Sequence, residues 1–379
     1  MIRVAQVGAG HLLDDARIFA RISRSLAAAG YDVHVTASAG GPPPADAHGV
    51  QFHPIAVPAS IGRRLLRRFR VARIVASIDP QIVHVHEPEL LGPVLRACKG
   101  RPVIWDVHET YLDVARHHPR LPARVRPFVA WAWDHYERRL VARCAAVVAA
   151  TDGVAKRYTP MHQSVTVVAN YPDLSNYQGL RSPQNAAADA LPVAVFTGVL
   201  QRTRGLELCI RAVAAAKALG CSVRLEIAGR PITPHYPDEL LALATQLGVG
   251  DLVRYLGVLS LRDTIDLQLR AQIGVVAHDA TPSNSLAWPV KMLEYMAAGL
   301  PIIYTDLPSH RELAGAQPIG IACESTVESI TDALVALVSD PALREQLGAN
   351  GAAVALNERN WSVQETRLLA LYDAVATGI

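Results

Sequence analysis

The chain has 379 residues, half of them hydrophobic, and its 37 basic and 34 acidic side chains leave a net charge of +3. That length accommodates two domains with separate cores, and a mean hydropathy of +0.18 excludes a disordered chain. The small charge and the 6% aromatic content argue against a nucleic-acid protein, and no apolar run approaches the roughly 18 residues of a membrane span.

Residues 2–7 read as an apolar strand, with none of the long apolar region of a signal peptide before it. Gly8-Ala9-Gly10 follows. The third glycine of a dinucleotide motif would stand at Leu13, so these residues read as a tight turn, or as small residues that let a diphosphate or an acceptor approach the backbone. Residues 16–29 predict a helix with Ile18, Ile22 and Leu26 on one stripe, and residues 31–36 a strand ending in the glycine/proline loop 40–44. Residues 61–78 set Arg63, Arg64, Arg67, Arg68, Arg70 and Arg73 among Leu65, Leu66, Phe69, Val71 and Ile74. Such a helix is either a solvated face over a core stripe or a surface for anionic lipid. Arg116, Arg120, Arg124 and Arg126, with His117 and His118, add a second basic stretch.

Strands are expected at 81–85, 102–107 and 145–150. HVHEPEL (84–90) and WDVHET (105–110) set histidine and glutamate at strand ends. Their spacing does not fit a helical HExxH zinc motif, and alternation sends His84 and His86 to the same face. Capping carboxylates in a polar loop, or groups that position an acceptor, remain as readings, with His108 foremost among the latter. Residues 178–191, QGLRSPQNAAADAL, are polar and alanine-rich and read as a linker.

The second half repeats the scheme, with strands at 193–197, 223–228, 253–256, 273–277 and 301–305 and helices at 206–218 and 239–247. GVLQRTRG (198–205) brings Arg202 and Arg204 to a strand-to-helix turn. They are solvent-facing arginines or, given guanidinium geometry, phosphate ligands. Residues 282–306, PSNSLAWPVKMLEYMAAGLPIIYTD, combine a proline at a helix start (Pro289), a glycine stop (Gly299) and a buried strand. Lys291 and Glu294 share one face near the helix N-terminus, which attracts anions. A carboxylate there suits a ligand with both phosphate and hydroxyls, such as a nucleotide sugar. The alternation predicts an α/β fold of two doubly wound parallel-sheet domains around a cleft, with ligands at the carboxyl ends of the strands. The expected domains are 1–177 and 192–359, with the last helix, about 360–379, a candidate to cross back to the first. Cys98, Cys144, Cys209, Cys221 and Cys323 are scattered, and read as buried thiols of a reducing cytoplasm.

Taken together, the chain resembles the family 4 retaining glycosyltransferases, which have the GT-B fold of two Rossmann-like domains. The resemblance spans nearly the whole chain. It is strongest in PVKMLEYMAAGLPII, the HVHEPEL and DVHE pair, His11 with Asp15 and Arg17 in HLLDDARIF, and GVLQRTRG. It implies transfer of a sugar from a nucleotide-sugar donor to an acceptor hydroxyl, in bacterial surface polysaccharide or glycoconjugate assembly. By position, Glu294 would hold the donor ribose, Arg204 the diphosphate with Arg202 and Lys291 as further charges, and His108 would lie near the transferred sugar. Gly8 and Gly10 would approach diphosphate and acceptor, while His11, Asp15, His86, Glu87 and Glu109 lie on the acceptor side. The sequence departs from the family at Leu286, where a first glutamate is usual, at Val199 in place of an arginine, and at Val290 within PVK. Ser283, Asn284 and Ser285 are candidates for the missing polar contacts. No DxD pattern suits a donor-bound divalent ion, so neither metal nor other cofactor is expected. The acceptor is expected to be lipid-linked or a small molecule, and the location cytoplasmic, with Arg63, Arg64, Arg67 and Arg68 on an anionic membrane surface. The alternatives are a nucleotide-sugar epimerase of the same architecture and a non-catalytic, transferase-like subunit.

Overall fold

The computed structural model describes residues 1–39, 44, 46–56, 61–117, 121–177, 191–281, 284–285 and 288–378, with the backbone alone at 61–66, 114 and 117. These residues form two compact units, Met1–Asn170 with Trp361–Ile379, and Tyr171–Asn360.

The first unit is built on β1 (Arg3–Leu12), β2 (Asp32–Ser38), β3 (Gln51–Ile55), β4 (Ile82–Val85), β5 (Val103–Val107), β6 (Ala146–Ala149) and β7 (Val165–Val167). All pair in parallel, in the order β3-β2-β1-β4-β5-β6-β7. The chain order reverses between β1 and β4, where a doubly wound sheet opens its ligand crevice at the carboxyl ends of the strands. Helices cover both faces, so the central strands are buried along their length; they are mostly apolar, with His84 in β4 and Asp106 in β5 as the buried exceptions. Ile18, Ile22 and Leu26 form the expected buried stripe, although its helix is divided into a wide turn, Ile18–Ser23, and a short helix, Arg24–Ala28.

The last helix, Trp361–Ala376, belongs to this unit. Trp361 Nε1 donates to Ser25 Oγ at 2.9 Å, Ala169 N donates to Gln364 Oε1 at 2.8 Å, and Leu368, Leu371 and Tyr372 are buried. In helix Ile61–Ile78, Val71, Val75 and Ile78 face the core while Arg67 and Arg68 are half-buried; the side chains of Arg63 and Arg64 lie outside the described residues.

The second unit holds β8 (Val193–Thr197), β9 (Arg224–Ala228), β10 (Val253–Tyr255), β11 (Ile273–Val276), β12 (Ile302–Thr305) and β13 (Gly320–Cys323). They are parallel in the order β10-β9-β8-β11-β12-β13, and the order reverses between β8 and β11. Residues 171–177, expected with the first domain, cluster with this unit. Tyr177 OH donates to Gln268 Oε1 at 3.3 Å, and the Tyr171 ring stacks on Trp288 at 6.3 Å. Three edge strands, β3, β7 and β13, were not expected. They are short and only partly buried, and β3 carries Pro54, which only an edge tolerates. The expected linker lies almost wholly outside the described residues. No helix among those described is long and apolar enough to cross a membrane.

Candidate functional site

At the carboxyl ends of β1, β4 and β5 the polar residues of the first unit converge on Asp106. Its carboxylate is fully buried and accepts two hydrogen bonds from Arg17, Nε to Oδ2 at 2.9 Å and Nη2 to Oδ1 at 2.8 Å. His86 Nδ1 stands 3.0 Å and His108 Nε2 3.5 Å from Oδ2. Burial would raise the Asp106 pKa, but Arg17 and the adjoining imidazoles hold it well below the usual carboxylate range. Burial pushes His86 down to about 4 and His84 well below the ordinary histidine value. Beneath them, Tyr372 OH lies 2.8 Å from His84 Nδ1 and 2.9 Å from Gln6 Nε2, and Gln6 Oε1 lies 2.8 Å from His86 Nε2.

His84, His86 and Asp106 bring ligand-type atoms within 4.8 Å of one another. A cation does not fit that set, because the Arg17 guanidinium occupies both Asp106 oxygens and adds a positive charge beside them. The cluster is a charge-compensated network that fixes His108, a quarter exposed above it, with its ring 5.4 Å from that of His11.

His11 Nδ1 pairs with Asp15 Oδ2 at 3.0 Å. Burial would lower His11, but Asp15 outweighs it and the pKa rises; Asp15 in turn is held low by His11 and by the N–H groups of Ile18 and Arg17. Gly10 N donates to Glu87 Oε1, and a Cβ at Gly10 would stand 2.9 Å from that oxygen. Burial raises the Glu87 pKa. Gly10 is exposed, whereas Gly8 is buried against Ile18, so only Gly10 offers open backbone. Two acceptor-side expectations fare differently. His86 is buried inside the network, and Glu109 is exposed, with no hydrogen bond or ion pair among the described residues.

In the second unit, the helix Val290–Ala297 stands over the end of β8. Pro289 is the residue before its first turn (φ −76°, ψ 99°) rather than its first residue, and Gly299 closes it at φ +70°. Tyr295 anchors the helix, since its hydroxyl accepts from Thr197 N at 2.9 Å and donates to Val195 O at 3.1 Å. Lys291 and Glu294 are thereby half-buried on the same side. Lys291 Nζ lies 3.5 Å from the centroid of the Phe196 ring, a cation–π contact. Glu294 Oε2 accepts from Gln268 Nε2 at 3.2 Å, and the same amide donates to Thr197 Oγ1 at 3.2 Å.

After β8, the turn Arg202–Arg204 ends in Gly205, at φ +70°. A Cβ there would stand 1.8 Å from Ala277 O, so only glycine lets this turn lie against the end of β11. The turn carries Arg204, whose Nη1 lies 3.1 Å from each ring nitrogen of His278. Arg204 is half-buried, and neither it nor Lys291 forms an ion pair among the described residues. Burial lowers both pKa values, that of Lys291 strongly and with Arg204 adding to it. His278 is driven far down by burial and by these two cations, and His310 to about 4. The centre of this site therefore sets two basic side chains, whose charged forms burial disfavours, among neutral imidazoles.

Two other expected donor residues are engaged elsewhere. Arg202 is exposed and held by Glu207 (3.2 Å) and Glu239 over the Tyr236 ring, so it does not join Arg204. Asn284 donates its amide to Thr203 O at 2.9 Å and Asp279 O at 3.0 Å, which ties its segment to the arginine turn. Ser285 donates its backbone N–H to Thr281 O at 2.9 Å, and Ser283 and Leu286 lie outside the described residues. Among the residues not expected, Asp106 had a signal, because it lies two before His108 and strand alternation puts both on one face. Gln268, His278 and Tyr372 had none, since each reaches its partner across the fold.

Comparison with known proteins gives both halves the same kinship. Residues 16–176 match the family Glycosyltransferase Family 4, and residues 180–354 match Glycosyl transferases group 1. The D-inositol 3-phosphate glycosyltransferase 1 of Catenulispora acidiphila is 26% identical over 332 residues, 83% of this chain and 77% of its own. The phosphatidyl-myo-inositol mannosyltransferase of Mycobacterium leprae is 26% identical over 315 residues, 81% of this chain and 77% of its own. The Anabaena protein HepE, solved with UDP and glucose, shares the fold at a TM-score of 0.73 and 15% identity, covering 99% of this chain and all of its own. With both halves matched and two parallel-sheet, Rossmann-like units of the GT-B type beneath them, the chain belongs to glycosyltransferase family 4 and is a glycosyltransferase.

Proposed function

We propose that this glycosyltransferase moves a sugar from a nucleoside-diphosphate donor to an acceptor hydroxyl with retention of configuration and without a metal. The observation that carries the reading is the pair Arg204 and Lys291, two half-buried basic side chains that form no ion pair among the described residues. Withdrawing charge from water without a counter-ion is costly, so the pair is matched to an anion that arrives with the substrate. A diphosphate fits, and Glu294, oriented by Gln268, is a hydrogen-bond acceptor for a ribose diol. As the bond from the sugar to the diphosphate breaks, negative charge grows on the departing oxygen, where the two cations stabilise it. Removing one such group costs about 10²–10³ in rate.

His108, backed by Asp106, and the His11–Asp15 pair then serve the sugar and acceptor on the first unit. Two of the compared proteins support the class of ligand: one is named a phosphatidyl-myo-inositol mannosyltransferase and another was solved with UDP and glucose. For this chain the reading is a lipid-linked or small-molecule acceptor in surface polysaccharide or glycoconjugate assembly. In it the arginines Arg63, Arg64, Arg67 and Arg68 rest on an anionic membrane face.

Calorimetry with UDP, GDP, ADP and TDP tests the donor site. One of them should bind, with EDTA present, and Arg204→Ala and Lys291→Met should each weaken it at least about tenfold, the value of one charge-assisted hydrogen bond. Lys291→Met should leave the melting temperature unchanged or raised, since it removes a desolvated charge. Unchanged binding in both variants would refute the site. Proton NMR of the product's anomeric centre tests retention, and incubation of donor without acceptor separates transfer from epimerisation.

A further inference from the structure

Helix Arg126–Val141 of the first unit turns one face to the core. Ala130, Leu140 and Val141 are buried, and both acidic side chains turn to Arg157, from Asp134 at 2.8 Å and Glu137 at 2.7 Å. Tyr158 OH donates to Glu137 at 2.7 Å.

Its outer face is different. Phe128 is 66% exposed and Trp131 57% exposed, with their rings stacked at 5.9 Å, and His135 lies 4.5 Å from Trp131. Val125, exposed as well, extends the same stripe by helical spacing. Arginines flank the rings, Arg124 on one side and Arg138 and Arg139 on the other. Arg138 pairs with Asp134, whereas Arg124 and Arg139 make no ion pair among the described residues. Two stacked rings held in water mark a surface that something covers.

We propose that this face docks the protein on an anionic phospholipid bilayer, with Phe128 and Trp131 entering the headgroup–acyl boundary and the flanking arginines meeting lipid phosphates. Interfacial helices carry this combination of aromatic rings and basic side chains. Charge decides among the occupants. Among the described residues the exposed face presents arginines and no free carboxylate, which complements a phosphate-rich surface and repels a second copy of itself. The inference extends the peripheral association proposed above to different residues, and it does not depend on the donor site.

The test is co-sedimentation of the full chain with vesicles of phosphatidylcholine alone and with added phosphatidylglycerol. It uses the wild type, Phe128→Ser/Trp131→Ser, and Arg63→Ala/Arg64→Ala/Arg67→Ala/Arg68→Ala, with circular dichroism to verify the fold. The expected result is binding to the phosphatidylglycerol vesicles that falls about tenfold or more in the aromatic variant. Tryptophan quenching by brominated lipid should also diminish in Trp131→Phe. The proposal is overturned if the wild type does not bind, if both vesicles bind it equally, or if the aromatic variant binds as well as the wild type. Loss confined to the arginine variant removes this proposal and leaves the earlier one standing. A wild-type dimer that the aromatic substitutions dissolve, without vesicle binding, assigns the face to a second copy.

Discussion

Asp106 shows how much a single buried side chain organises in the first unit. It neutralises Arg17, orients His86 and supports His108 from below. Asp106→Asn keeps the shape but leaves the Arg17 guanidinium buried without a counter-charge, a loss of about 3–5 kcal/mol. Urea unfolding should show a midpoint lowered by that free energy divided by the slope, with the slope itself unchanged. A second residue-scale consequence concerns pH. His310 Nδ1 donates to Thr305 O at 2.8 Å, and its pKa falls from 6.5 to about 4 through burial and the nearby cations. Between these values the unfolded chain binds the proton and the folded chain does not. Its contribution is therefore complete above pH 6.5 and is lost as the pH falls towards 4. The melting temperature should decline over that window, less steeply in His310→Gln.

At the scale of elements, the proposed donor site is a product of how turns meet strand ends. Gly205 and Gly299 share a φ of +70°, yet their surroundings differ. A Cβ at Gly299 meets nothing within 4 Å, so Gly299→Ala should cost only the left-handed backbone penalty of about 1–2 kcal/mol. At Gly205 the same atom would stand 1.8 Å from Ala277 O, so the turn must move and carry Arg204 with it. Gly205→Ala should therefore destabilise more and also abolish nucleotide binding, while Gly299→Ala keeps it. Denaturant melts and calorimetry on the two variants separate these outcomes. The pairing of elements also explains the unexpected edge strands. β3 and β7 mix polar and apolar residues, as strands paired on one side only can, while β13 is apolar but only four residues long.

At the scale of the molecule, the last helix completes the unit that begins the chain. A truncation after Asn360 removes Trp361, Leu368, Leu371 and Tyr372 from the first core, and leaves Gln6 and His84 without their shared hydroxyl. The first unit of that fragment should lose its cooperative unfolding and become protease-sensitive, while the second, whose sheet and core are its own, stays folded. Limited proteolysis with mass spectrometry distinguishes the two. Much of this protein was legible in its residues alone. Apolar runs alternating with helical stripes specified two parallel sheets, and Lys291, Glu294, Arg204 and His108 stood out because strand ends and helix starts are local patterns. What required the tertiary structure was the partner of each charge. Arg202 and Arg204 are indistinguishable in GVLQRTRG, yet Glu207 and Glu239 hold the first while the second meets His278 and, among the described residues, no carboxylate. Likewise His86 and His108 share a motif type, but one is sealed against Gln6 and Asp106 and the other reaches the surface. Periodicity is a property of neighbours along the chain, whereas charge compensation and burial depend on residues brought together across the fold, such as Gln6 and Tyr372, 366 positions apart.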